Sequence, residues 1–65
     1  MNGTTLKLLR IRANLSQIEL AEKLNISQGA VTNWECGKSS PRASLMPALA
    51  KALGCTIDDL YRKED

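Results

Sequence analysis

Two residues, Asn25 and Ile26, are all that separates one capped apolar segment from the serine that opens the next. The earlier segment begins Ser16-Gln17-Ile18-Glu19. In that S-x-x-E pattern the serine hydroxyl and the glutamate carboxylate each satisfy a backbone N–H that a helix start leaves unpaired. Leu15 before the cap and Leu20 at the fourth helical position supply the matching hydrophobic staple. Apolar residues recur at 20, 21 and 24, and Asn25, which tolerates positive φ, closes the helix. Ser27 then caps a second helix over about 28–35, with Ala30, Val31 and Trp34 inward. Helices joined by so short a turn must cross steeply. Such a crossing needs a small residue at the contact (Ala21), a turn residue at ease with positive φ (Asn25) and a buried plug (Ile26). Leu20, Leu24, Val31 and Trp34 are the facing apolar residues. This is helix-turn-helix spacing, and it leaves Gln28, Gly29, Thr32 and Asn33 on an outer face.

The other segments are helical too. The first runs from about residue 4 or 5 to 13, with Leu6, Leu9 and Ala13 on one stripe, and stops at Asn14. The stretch 36–42 reads as a loop by composition. Pro47 is harmless only in a first turn, so the fourth helix starts near Ser44, with Leu45, Leu49, Ala52 and Leu53 inward and Gly54 as its stop. Thr56 caps a short fifth helix through about Arg62. Ten Leu and seven Ala against one Val and no Phe favour helix over strand. With 65 residues there is length for one domain, 1–65, and none for a barrel or a two-domain cleft. The expected fold class is all-α, with five helices.

Charge and cysteine content narrow the function. Nine Lys and Arg face seven Asp and Glu, but four of those acids lie in residues 57–65, so the body is the more cationic part. That suits a polyanion partner without requiring one. The sequence has no His, which excludes His-dependent catalysis, and two Cys cannot build a zinc site of Cys₄ or Cys₂His₂ type. No metal, no cofactor and no enzymatic activity are expected. The chain has no secretory signal and no run long enough to cross a membrane, so a cytoplasmic location with Cys36 and Cys55 reduced is expected.

A string of short motifs extends almost the whole length: Leu9-Arg10, Leu15-Ser16-Gln17, Leu20-Ala21, Ile26-Ser27-Gln28, Val31, Trp34-Glu35, Gly37-Lys38, Pro41, Leu49-Ala50, Ala52-Leu53-Gly54 and Asp58-Asp59-Leu60. In these the chain resembles the Cro/phage-repressor-type helix-turn-helix family, the xenobiotic-response-element type. Asn14 and Asn25 stand where that family usually has Gly, a departure that αL-tolerant Asn absorbs. The resemblance implies a compact, lambda-repressor-like domain of prokaryotic or phage origin that reads the DNA major groove with its third helix. Gln28, Gly29, Thr32 and Asn33 are then the base contacts, and Gln17, Ser27, Lys38 and Arg42 the phosphate contacts. In the family the residue at the Gln17 position also braces the Gln that opens the recognition helix. Arg10 and Glu35 are implied to form a structural ion pair.

The chemistry agrees with those roles. A Gln amide pairs bidentately with adenine, and a helix start attracts phosphate. One recognition helix reads too few base pairs for genomic specificity, so a homodimer on a palindromic operator is expected, acting as a repressor. Ile57, Leu60 and Tyr61 are the dimerisation candidates, being apolar and away from the recognition helix. The alternative is an antitoxin-like module that binds a toxin and autoregulates its promoter; the short tail argues against it. Cys55 is expected to be buried as a small hydrophobe and Cys36 more exposed, with no disulfide between them.

Overall fold

A computed structural model of the chain describes residues 3–61. Helices α1 (Gly3–Arg12), α2 (Gln17–Leu24), α3 (Gln28–Cys36), α4 (Met46–Leu53) and α5 (Ile57–Tyr61) follow one another, with one 3₁₀ turn, Ala43–Leu45, leading into α4. No strand occurs among the described residues. Leu6, Leu20, Val31, Leu49 and Leu60, at least one from each helix, are fully buried and meet at the centre. Each such side chain contributes about 1.5–3 kcal/mol by leaving water. In a chain this short that shared core is what holds five marginal helices in place.

Four of the helices end in the same way. Asn14, Asn25, Gly37 and Gly54 all take positive φ, at 61°, 56°, 80° and 67°. At each of these ends two backbone N–H groups turn back on the last carbonyls, as with Asn25 to Glu22 and Ile26 to Ala21. This is the Schellman arrangement, which normally tucks the next residue onto the core. Leu15, Ile26 and Cys55 do pack there. At the end of α3 the equivalent position is Lys38, and it is exposed.

The starts are equally explicit. Ser16 Oγ accepts from the Glu19 N–H at 3.0 Å while Glu19 Oε1 accepts from the Ser16 N–H at 2.9 Å. Thr56 and Asp59 repeat that exchange at α5. The start of α4 differs from the sequence expectation. Residues near Ser44 form the 3₁₀ turn, and the helix proper opens at Met46 with Pro47 in its first turn. The buried stripe is therefore Met46, Leu49, Ala50 and Leu53, while Leu45 and Ala52 lie half-buried at its edge.

Two features of α1 escape the sequence reading. Gly3 lies so close to the end of α3 that a Cβ there would sit 2.6 Å from the Trp34 carbonyl oxygen and 2.7 Å from that of Glu35. Thr5 is buried and its hydroxyl has no hydrogen-bond partner among the described residues.

Candidate nucleic-acid interface

Ser27 has extended backbone geometry and its Oγ accepts from the Ala30 N–H at 3.3 Å, so α3 starts cleanly at Gln28. Val31 and Trp34 anchor one side of that helix in the core. On the other, Gln28, Gly29 and Asn33 are exposed. The carboxamides of Gln28 and Asn33 make no hydrogen bond among the described residues, so each offers donors and an acceptor to a ligand. A Cβ added at Gly29 would meet only Ser27 Oγ, at 3.9 Å. Nothing inside the fold asks for glycine there.

Thr32 differs from its neighbours. It is half-buried, and its hydroxyl donates to Gln17 Oε1 at 3.0 Å and lies 3.2 Å from the Gln28 carbonyl. The Gln17 amide nitrogen in turn donates to Glu35 Oε1 at 3.1 Å. Gln17 therefore bridges α2 to two points of α3, and its carboxamide is held by Thr32 and Glu35 where the family resemblance has it bracing Gln28. Sequence reasoning had no access to this link, because it depends on how far α3 is rolled against α2.

Glu35 joins the third helix involved. Arg10 Nε donates to Glu35 Oε2 at 2.6 Å and a terminal guanidinium nitrogen to Oε1 at 3.3 Å, with the two side chains 11% and 5% exposed. The other terminal nitrogen donates to the Leu15 carbonyl at 2.7 Å. Arg10 is thus a clamp within the protein, with its donors turned inward. Burial pushes the Glu35 carboxyl up, but hydrogen bonds from Arg10 and Gln17, with the charges of Arg10 and Lys7, outweigh it. The net pKa lies below the usual glutamate value.

Lys38 and Arg42 are exposed in the segment after α3, without an ion pair among the described residues. Lys38's own backbone is fixed, since its N–H donates to the Asn33 carbonyl at 2.9 Å. Ser27 is exposed, and its hydroxyl keeps a proton to donate. Ser27, Gln28, Gly29, Asn33, Lys38 and Arg42 accordingly belong to one helix and its flanks.

Helix α5 departs from the sequence expectation at one residue. Leu60, expected among the dimerisation candidates, is fully buried in the chain's own core and is not available to a second copy. Its period on α5 turns it inward and leaves Ile57, 40% exposed, and Tyr61, 56% exposed, outward. The two cysteines are unpaired, Cys36 exposed and Cys55 half-buried against the core. Burial, and then the charge of Asp59, raises the Cys55 thiol pKa, which favours the protonated thiol over the thiolate. Arg62 lies outside the described residues. Among those residues no helix is long and apolar enough to cross a membrane, and no cluster could hold a metal ion.

Two helices crossing through Asn25, Ile26 and Ser27, with the free face of the second lined by unpaired carboxamides, define a helix-turn-helix DNA-binding domain. Residues 6–60 match the helix-turn-helix family, and the chain belongs to its XRE/Cro-like branch, a non-enzymatic family of DNA-binding transcription regulators. It is 38% identical over 60 residues to the HTH-type transcriptional activator BcrR of Enterococcus faecalis, covering 92% of this chain and 29% of BcrR. The same identity and length relate it to the HTH-type transcriptional regulator MJ0272 of Methanocaldococcus jannaschii, of which it covers 91%. The immunity repressor of Bacillus phage phi105 is 32% identical over 62 residues, and the chain spans 43% of it. Among solved structures, the P22 c2 repressor in complex with a synthetic operator superposes with a TM-score of 0.82 at 29% identity, covering 89% of this chain and 88% of that one. The chain spans under a third of BcrR and under half of the phi105 repressor.

Proposed function

We propose that this chain is a sequence-specific, double-stranded-DNA-binding transcription regulator that inserts α3 into the major groove and works as a two-fold dimer. The observation that carries the reading is the free face of α3, where Gln28 and Asn33 present unpaired carboxamides on a helix otherwise locked into the core. A Gln or Asn amide matches the N6 and N7 edge of adenine bidentately. Gly29, with no packing reason of its own, brings the backbone close to a base edge.

The DNA backbone falls to the flanks. The start of α2 offers its unpaired N–H groups and the Gln17 amide to one phosphate. Ser27, Lys38 and Arg42 supply a hydroxyl and two charges to others. Lys38 is the telling one, because it occupies a helix-end position that elsewhere in this fold holds an apolar residue. Occupying a promoter in this way is sufficient for repression and needs nothing beyond DNA binding. The phi105 relative is a repressor and BcrR an activator, so the direction of regulation is the first thing to measure in cells. Such a regulator works where the DNA is, in the cytoplasm or nucleoid.

Selection of bound duplexes from a random pool tests the reading. A two-fold-symmetric consensus is expected. On that site Gln28→Ala should lose about 1–3 kcal/mol while binding to random duplex is nearly unchanged. An asymmetric consensus removes the dimer; an equal loss on both duplexes removes Gln28 as a base reader.

A further inference from the structure

A carboxylate can only accept hydrogen bonds, and Glu35 therefore fixes the direction of the bonds beyond it. With Glu35 Oε1 at 3.1 Å, the end of the Gln17 carboxamide that faces it must be the nitrogen. Gln17 Oε1 is then turned to Thr32, whose hydroxyl has to donate, at 3.0 Å. The single hydroxyl proton of Thr32 is held between Gln17 Oε1 and, at 3.2 Å, the carbonyl of Gln28. A hydroxyl in that state has no proton for a phosphate oxygen, nor for the O6 and N7 acceptors of guanine. Gln17, by contrast, keeps a second amide N–H.

We propose that Thr32, although it lies on the recognition helix, is a positioning residue: with Glu35 on the nitrogen end, its hydroxyl holds the oxygen end of the Gln17 carboxamide and so aims the second amide N–H at the DNA backbone. Its hydroxyl donates to no base. The proposal rests on the DNA-binding reading above and deepens it, by moving one of four recognition-helix residues from sequence readout to backbone readout. Donation converges on Glu35, from Arg10 on one side and from Thr32 through Gln17 on the other, so α1, α2 and α3 are tied at the same point.

The test combines spectra of the free protein with binding. Thr32→Val keeps the shape of the side chain and removes the hydroxyl; Thr32→Ser keeps the hydroxyl. In the free protein the two Gln17 side-chain amide protons should be shifted apart by their unequal surroundings. Thr32→Val should bring them toward the values of an exposed glutamine, and Thr32→Ser should restore them. On DNA, Thr32→Val should weaken the selected site and a random duplex by the same factor, roughly two- to tenfold for one hydrogen bond. Thr32→Ser should recover that loss, and Thr32→Val should add nothing in a Gln17→Ala background. Unchanged Gln17 resonances in Thr32→Val overturn the proposal. So does a loss confined to the selected site, which makes Thr32 a base reader, or full additivity with Gln17→Ala. A wild-type chain that binds neither duplex overturns the DNA-binding reading itself, and the free-protein spectra distinguish that outcome from failure of the Thr32–Gln17 contact.

Discussion

Thr5 and Gly29 are both residues whose identity the folded protomer does not need. The Thr5 hydroxyl is buried in α1 without a partner among the described residues, and burying an unpaired polar group costs about 1–3 kcal/mol. Thr5→Val keeps the β-branched shape and deletes the unpaired atom. It should raise stability by about 1 kcal/mol in urea unfolding, and a loss of stability would show that the hydroxyl has a partner in solution. Gly29 has open space where its Cβ would be, within ordinary contact of Ser27 Oγ alone. Gly29→Ala should therefore stabilise α3 by about 0.5–1 kcal/mol, the usual helix penalty of glycine. If the backbone approaches a base there, the same variant binds the selected duplex less tightly. A more stable protein with undiminished affinity would reduce Gly29 to a tolerated defect.

At the level of the elements, the ion pair between α1 and α3 has a pH signature. Glu35 has a lowered folded pKa, so between the ordinary value of 4.5 and that lower one the unfolded chain binds more protons than the folded chain. The stabilisation is complete above 4.5 and is lost as pH falls through the folded value. Glu35→Gln should cost about 2–3 kcal/mol at pH 7, where it leaves Arg10 without its counter-charge. The gap between variant and wild type should narrow as pH falls through that window; a constant gap in acid would remove the ion pair as its source. Much at this scale was legible beforehand. The capping box at Ser16, the αL ends at Asn14 and Asn25 and the order of five helices follow from local chemistry, which a sequence carries directly. What was not legible depends on rotation. A 3₁₀ turn over Ala43–Leu45 delays α4 and brings Met46 and Ala50 onto the core in place of Leu45 and Ala52. Leu60 is apolar whether it faces the core or a partner, and only its place on α5 separates those roles. The Gln17–Thr32 bond likewise needs the roll of α3 against α2.

The described protomer measures 29 × 23 × 23 Å, and two-fold half-sites lie about 34 Å apart along one face of DNA. Two copies so placed span nearly the whole distance between their centres and can meet only along a narrow strip. Ile57 and Tyr61 are exposed apolar groups on α5 suited to it, with Leu60 committed to the core beneath. Two exposed residues are few beside the roughly 20–30 a side that a stable interface uses, so pairing should be completed on the operator. Salt dependence then becomes a way of counting subunits. Each phosphate neutralised releases counterions and adds about 0.9 to the slope of log K against log salt. Lys38 is exposed, free of any protein ion pair among the described residues, and held by a fixed backbone at the end of α3. Lys38→Ala should therefore flatten the slope by roughly one unit per bound subunit, hence roughly two on a full operator and one on an isolated half-site. Fluorescence titrations on the two duplexes over a range of salt concentrations give both numbers. Equal changes on whole and half operators would mean a single bound subunit, and no change on either would take Lys38 out of the interface.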